Sequence, residues 1–130
     1  MTNNNTTNSS AATNKLSNYS PLKRKITVYI PSTININQTT DNAQQIKNCE
    51  TLLSMLCGGY TTITAAGGWV SEVNNELIKE TITTVYAYTG AVEKEFDFKI
   101  DCVIDFCEYL KIEMQQEAIS LEVDNKLYFI

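Results

Sequence analysis

Apolar residues recur along this chain with two different periods, and each change of period marks an element. From residue 26 the pattern alternates. Ile26, Val28 and Ile30 fall on one side and Thr27 and Tyr29 on the other, as in a half-buried strand. Pro31 ends that strand because proline brings no N–H to the ladder. Residues 32–40 are polar and rich in Thr and Asn, a loop that either decorates the sheet end or forms part of a site. The period then lengthens. Ala43, Ile46, Cys49, Leu52, Leu53 and Leu56 are three and four apart, which predicts a helix capped by Asp41 or Thr40 and ending near 56. Gly58-Gly59 supplies the left-handed backbone that stops it.

Helical periodicity is absent between residues 57 and 90. Residues 60–72 are threonine-rich and favour a strand, interrupted by Gly67-Gly68, which reads as a bulge. The stretch 73–76 contains two asparagines, which tolerate positive φ, and predicts the hairpin turn. Residues 77–89 form a long strand with Ile78, Glu80, Ile82, Thr84, Tyr86 and Tyr88 on one face. Gly90 ends it. Helical spacing resumes in 92–115, where Phe96, Ile100, Val103, Ile104, Cys107, Leu110 and Met114 make one continuous stripe. Ile119, Leu121 and Val123 alternate again, Asp124-Asn125 is a tight turn, and 126–130 return as a last short strand.

The order is β-α-β-β-α-β with a long central hairpin and a short C-terminal hairpin. That predicts the α+β class and a two-layer ferredoxin-like sandwich with strand order 4-1-3-2. Both helices cover one face of the sheet and leave the other open. Residues 1–22, rich in Asn, Thr and Ser before residue 20, offer little to bury and predict a disordered tail; 23–130 form one domain. The basic run Lys23-Arg24-Lys25 reads as a solvated flank of the first strand.

At 130 residues and 43% hydrophobic content, the chain can bury a real core. Its net charge of -5 argues against a partner such as long nucleic acid, which needs a basic face. It contains no histidine, so Ser-His and Cys-His nucleophiles are excluded and the commonest metal ligand is missing. Cys49, Cys57, Cys102 and Cys107 show no CxxC spacing and read as reduced, buried thiols, although the even count also permits a disulfide between the helices. The N-terminal residues lack the basic-then-apolar order of a secretory signal, and no stretch is apolar enough to span a membrane, which predicts a cytoplasmic protein.

Four groups of residues bear on chemistry. Asp97, Asp101, Asp105 and Glu108 follow one flank of the second helix and read as a solvated face rather than a metal site. Glu72, Glu76 and Glu80 lie along the hairpin. Glu72 and Glu80 offer an acid/base pair, though no nucleophile accompanies them. The two Gly-Gly pairs lack the strand–loop–helix setting of a phosphate loop. Tyr29, Tyr60, Trp69, Tyr86 and Tyr88 are aromatic anchors of the kind found at interfaces. The residues assigned to ligand binding are Trp69, Glu80, Tyr86 and Tyr88, with no catalytic residue, no metal and no cofactor.

Four short segments carry a resemblance: Cys57-Gly58-Gly59-Tyr60, Ala66-Gly67-Gly68-Trp69, Glu80-Thr81-Ile82-Thr83 and Gln116-Glu117-Ala118-Ile119. Their layout resembles small proteins of phages, prophages and plasmids of low-GC bacteria. The resemblance implies a counter-defence role for a mobile element. The expectation is a non-enzymatic, homo-oligomeric module that binds a nucleotide-like signal or a host protein. A small enzyme using carboxylate acid/base chemistry and a structural oligomerisation module are the alternatives.

Overall fold

Alternation in residues 24–31 produces the strand at the centre of the sheet. In the computed structural model, which describes residues 14–34 and 38–130, β1 (Arg24–Pro31) buries Ile26, Val28 and Ile30 completely. A two-stranded hairpin follows, β2 (Thr33–Ile34) and β3 (Gln38–Thr39). Next come α1 (Ala43–Cys57), the hairpin β4 (Thr61–Val70) and β5 (Leu77–Thr89), α2 (Glu93–Glu113), and the closing hairpin β6 (Ser120–Val123) and β7 (Lys126–Phe129). The main sheet has the order β4-β5-β1-β6-β7, and every neighbouring pair is antiparallel.

Both helices lie on one face of this sheet. Cys49 and Leu53 of α1, with Phe96, Val103, Cys107 and Leu110 of α2, pack against Ile26, Val28, Ile30, Val85 and Leu121 in one core. Truncating a fully buried leucine such as Leu53 or Leu110 to alanine removes about 2–5 kcal/mol. The architecture is an α+β, two-layer sandwich. Among the described residues no helix is long and apolar enough to cross a membrane.

Local signals are realised at the element ends. Gly58 caps α1 with φ 90°, and its N–H donates to the Ser54 carbonyl. The N-terminal end of α1 falls one residue later than the spacing implied. Asn42 is the cap, while the Asp41 carboxylate accepts from the Ala43 N–H at 3.0 Å. Asp124 and Asn125 both have positive φ, 51° and 69°, as a tight primed turn requires. All four cysteines are free thiols. The expected disordered tail lies outside the described residues for 1–13; residues 14–16 form a short helical turn.

One expectation is corrected. Gly67-Gly68 is not a bulge, because the β4–β5 register runs unbroken from Thr61 opposite Tyr86 to Val70 opposite Leu77. The glycines answer a close approach instead. A Cβ on Gly68 would lie 2.4 Å from the Ile78 carbonyl oxygen, and one on Gly67 would lie 2.8 Å from Ile82 Cδ1. The two strands are drawn together where a side chain has no room.

Candidate functional site

The pairing of β1, β5 and β6 decides which side chains share the face away from the helices. Thr27 stands opposite Tyr86 on one side and Glu122 on the other; Tyr29 stands opposite Thr84, and Pro31 opposite Ile82. Continuing along β5, Glu80 faces Gly67 and Ile78 faces Trp69. Two adjoining hollows open at this end of the sheet, and Glu80 lines both.

The narrower hollow, about 100 Å³, is bounded by Tyr29, Pro31, Glu80, Ile82, Gln116 and the segment 118–120. The Tyr29 hydroxyl donates to Glu122 Oε1 at 2.8 Å. That bond to a carboxylate, together with burial and the Glu122 charge, raises the Tyr29 pKa, so the phenol stays a neutral donor. Gln116 is aimed by the end of α2. Gln115 takes φ 52°, the left-handed conformation that usually calls for glycine, and the Gln116 N–H closes back on the Lys111 carbonyl at 2.9 Å. The Gln116 side-chain amide then donates to the carbonyls of Thr33 and Met114 at 2.8 and 3.0 Å. Those bonds fix the amide and tie the base of the β2–β3 hairpin to the site.

The wider hollow, about 610 Å³, lies between the β2–β3 hairpin and the β4–β5 ribbon. Ser32, Thr33 and Thr39 form one wall. The ribbon supplies both of its side-chain rows, Ala66, Lys79 and Thr81 from one and Trp69, Ile78 and Glu80 from the other. This volume is within the range of small-molecule sites, roughly 300–1,000 Å³. Three residues of the polar stretch after β1, Ser32, Thr33 and Thr39, therefore border the candidate site.

The structure brings together Trp69 and Glu80 and separates them from Tyr86 and Tyr88. Glu80 and Tyr86 are six steps apart along the strand, about 20 Å at ~3.3 Å per residue. The two tyrosines pack edge to face with their centroids 6.0 Å apart, and the Lys25 ammonium lies 4.4 Å from the Tyr86 ring and 5.4 Å from the Tyr88 ring. They form a separate corner of the same face. Trp69 is 43% exposed, so it is a wall residue and not a core one. Glu72 sits beyond the end of β4, in the hairpin turn, far from Glu80, and the two carboxylates do not form an acid/base pair. Among the described residues no group of three acidic or cysteine side chains could hold a metal ion. Tyr29, Gln116, Ser120 and Glu122 join the site through long-range pairing. Two of them carried a sequence signal, Tyr29 as one of the aromatic anchors and Gln116 as a piece of the layout resemblance.

No protein-family model matches the chain, and no curated protein matches it. Solved structures that share its fold include two of a phage enzyme. One is a phage SAM lyase in complex with S-methyl-5'-thioadenosine, at TM-score 0.61 and 12% identity, with 85% of this chain and 91% of that chain covered. The other is a phage SAM lyase in the apo state, at TM-score 0.60 and 14% identity, covering 86% and 94%. These likenesses correct the expectation of a non-enzymatic module that sequesters a nucleotide signal. The chain shares its fold with phage SAM lyases, and the wider hollow beside Glu80 has the volume of a small-molecule site.

Proposed function

We propose that this protein is a lyase that breaks down a sulfonium compound of the S-adenosylmethionine type. The observation that carries the reading is the placement of Glu80. One carboxylate stands where a small polar hollow meets a larger one, in a fold shared with SAM lyases. We read the strand order β4-β5-β1-β6 as the ferredoxin-like arrangement, with β7 added at its edge.

The molecule bound to the related lyase identifies the bond at issue. S-methyl-5'-thioadenosine keeps the methyl and adenosyl groups on sulfur. Forming it from S-adenosylmethionine breaks the bond from sulfur to the aminobutyrate chain. The electron pair leaves with sulfur and turns a cation into a neutral thioether. A lyase adds no water, so the aminobutyrate fragment closes its own valence, by giving a neighbouring proton to a base or by attack of its own carboxylate. A sulfonium needs no protonation to leave. The absence of histidine is no obstacle to this reaction.

The two hollows divide the substrate between them. The adenosyl group takes the wider one, against Trp69 and Ile78. The aminobutyrate end takes the narrower one, among Glu80, Gln116, Ser120 and the Tyr29–Glu122 pair. Charge is lost at sulfur as the bond breaks, so the apolar wall of Trp69, Ile78 and Ala66 favours the transition state over the charged substrate. A carboxylate against sulfur would do the reverse. Glu80 therefore acts on the aminobutyrate end, accepting the proton or orienting the chain. Such an activity, in the cytoplasm, would serve a mobile element by depleting the host of its methyl donor.

Incubation of the purified protein with S-adenosylmethionine, followed by mass spectrometry, tests this. The expected products are S-methyl-5'-thioadenosine and a four-carbon amino-acid fragment. Intact S-adenosylmethionine, or methyl transfer without cleavage, overturns it.

A further inference from the structure

The chain entering β1 carries apolar side chains that nothing described covers. Residues 14–19 close a helical turn, in which the Tyr19 N–H donates to the Leu16 carbonyl at 2.9 Å and Ser17 Oγ to the Asn14 carbonyl at 2.6 Å. Leu16 and Tyr19 project from it at 67% and 73% exposure. A single turn is too short to be stable in water without packing. Lys15 and Lys23 flank it, both exposed and unpaired among the described residues.

A groove of complementary character lies on the helix side of the sheet, between α2 and the β6–β7 hairpin. It encloses about 320 Å³ and is lined chiefly by Phe96, Ile100, Ile104, Val123 and Tyr128. Its floor is rigid. The Arg24 guanidinium lies 3.7 Å from the centre of the Phe96 ring and is held by Asp124 at 2.6 Å. Its rim is acidic. Asp97 borders it, and Asp101 and Asp105 follow on the exposed face of α2. The arm does not turn into its own groove. Leu22 lies instead beside Gly58, Gly59 and Tyr86, on the β5 side of β1. Arg24 lines the groove two residues later, so the arm leaves its chain at the groove's mouth.

We propose that Leu16 and Tyr19 of one chain dock in the α2/β6–β7 groove of a second copy, with Lys15 and Lys23 meeting the acidic flank of α2. A two-fold axis beside the groove mouth lets both arms exchange, which doubles the buried contact. Charge complementarity selects this occupant: the arm is basic and apolar, and the groove is apolar with an acidic rim.

Sedimentation of the full-length chain tests the exchange. The wild type is expected at a multiple of the 14.6 kDa chain mass, shifting toward the single-chain mass as salt is raised. The double variant Leu16→Asp/Tyr19→Asp is expected at the single-chain mass with an unchanged circular dichroism spectrum, since neither side chain enters the core. Tyr128→Asp, on the groove side, is expected to give the same loss. A wild type that sediments as one chain overturns the proposal. So does a double variant that keeps the wild-type mass, and so does a Tyr128→Asp variant that stays associated while the arm variant dissociates.

Discussion

Substituting Gly68 by alanine measures the closeness of the β4–β5 ribbon that forms one wall of the site. The new Cβ would lie 2.4 Å from the Ile78 carbonyl oxygen, about 0.9 Å short of the ~3.3 Å at which carbon and carbonyl oxygen ordinarily meet. The opposing atom is backbone and paired in the ladder, so no side-chain rotation relieves the clash and the strands must part. Overpacking of this kind costs about 1–3 kcal/mol. Alanine recovers roughly 0.5–1 kcal/mol because glycine loses more freedom on folding. The net loss is therefore about 1–2 kcal/mol, which at ~4 °C per kcal/mol for a chain of this size lowers Tm by about 4–8 °C. Gly67→Ala is the control. Its Cβ would meet Ile82 Cδ1 at 2.8 Å, the far end of a flexible side chain that can turn away, so its loss is about 0–0.5 kcal/mol. Urea denaturation followed by circular dichroism reads both variants. A Gly68→Ala protein as stable as the wild type, or less affected than Gly67→Ala, refutes the close-approach account and reopens the bulge.

Other substitutions test separate parts of the molecule. Tyr29→Phe removes the hydroxyl bound to Glu122; steady-state kinetics should show KM raised about 5–10-fold, the equivalent of roughly 1 kcal/mol, with the fold retained. In Asp124, burial pulls the carboxyl pKa up, but the Lys25 N–H, the Arg24 bond and charge, and Lys126 together hold it below its ordinary 3.8. A depressed carboxylate stabilises above its unfolded pKa, and that contribution fades as pH falls through the folded value. Asp124→Asn keeps a residue tolerant of the left-handed turn, so it should cost about 0.5–1 kcal/mol at pH 7 and less at pH 3 in paired denaturation curves. Burial pushes the Cys49 and Cys107 thiols up to about 12. In a colorimetric thiol assay at pH 8 these two should react only on unfolding, after the partly exposed Cys57 and Cys102.

Signals confined to neighbouring residues were legible in the sequence. The α2 stripe from Phe96 to Met114, the Gly58 cap and the Asp124-Asn125 turn each depend on spacing or on the backbone freedom of one residue type. Gly67-Gly68 was not legible in the same way. A bulge and a close approach call for the same residue, and only the position of the Ile78 carbonyl on the partner strand separates them. The two-residue period placed Glu80, Tyr86 and Tyr88 on one face correctly, but a face is long, and the period does not say how far apart two of its members lie. Gln116 depends on Gln115 adopting a positive φ without being glycine, and nothing in the composition announces that. Glu122 and Tyr29 meet only because β1 pairs with β6 across more than ninety residues. Composition bears on function only through the reaction in question: a lack of histidine argues against reactions that need an imidazole proton relay, and the proposed cleavage of a sulfonium needs none because its leaving group departs unprotonated.

The most direct measurement is the kcat/KM for cleavage of S-adenosylmethionine by the wild type and by Glu80→Gln, a change that keeps shape and removes charge. The account predicts many turnovers by the wild type and a loss of about 10²–10⁴-fold in the variant, with the same denaturation midpoint. Equal rates in the two proteins would contradict the role given to Glu80, and no turnover by the wild type would contradict the lyase itself.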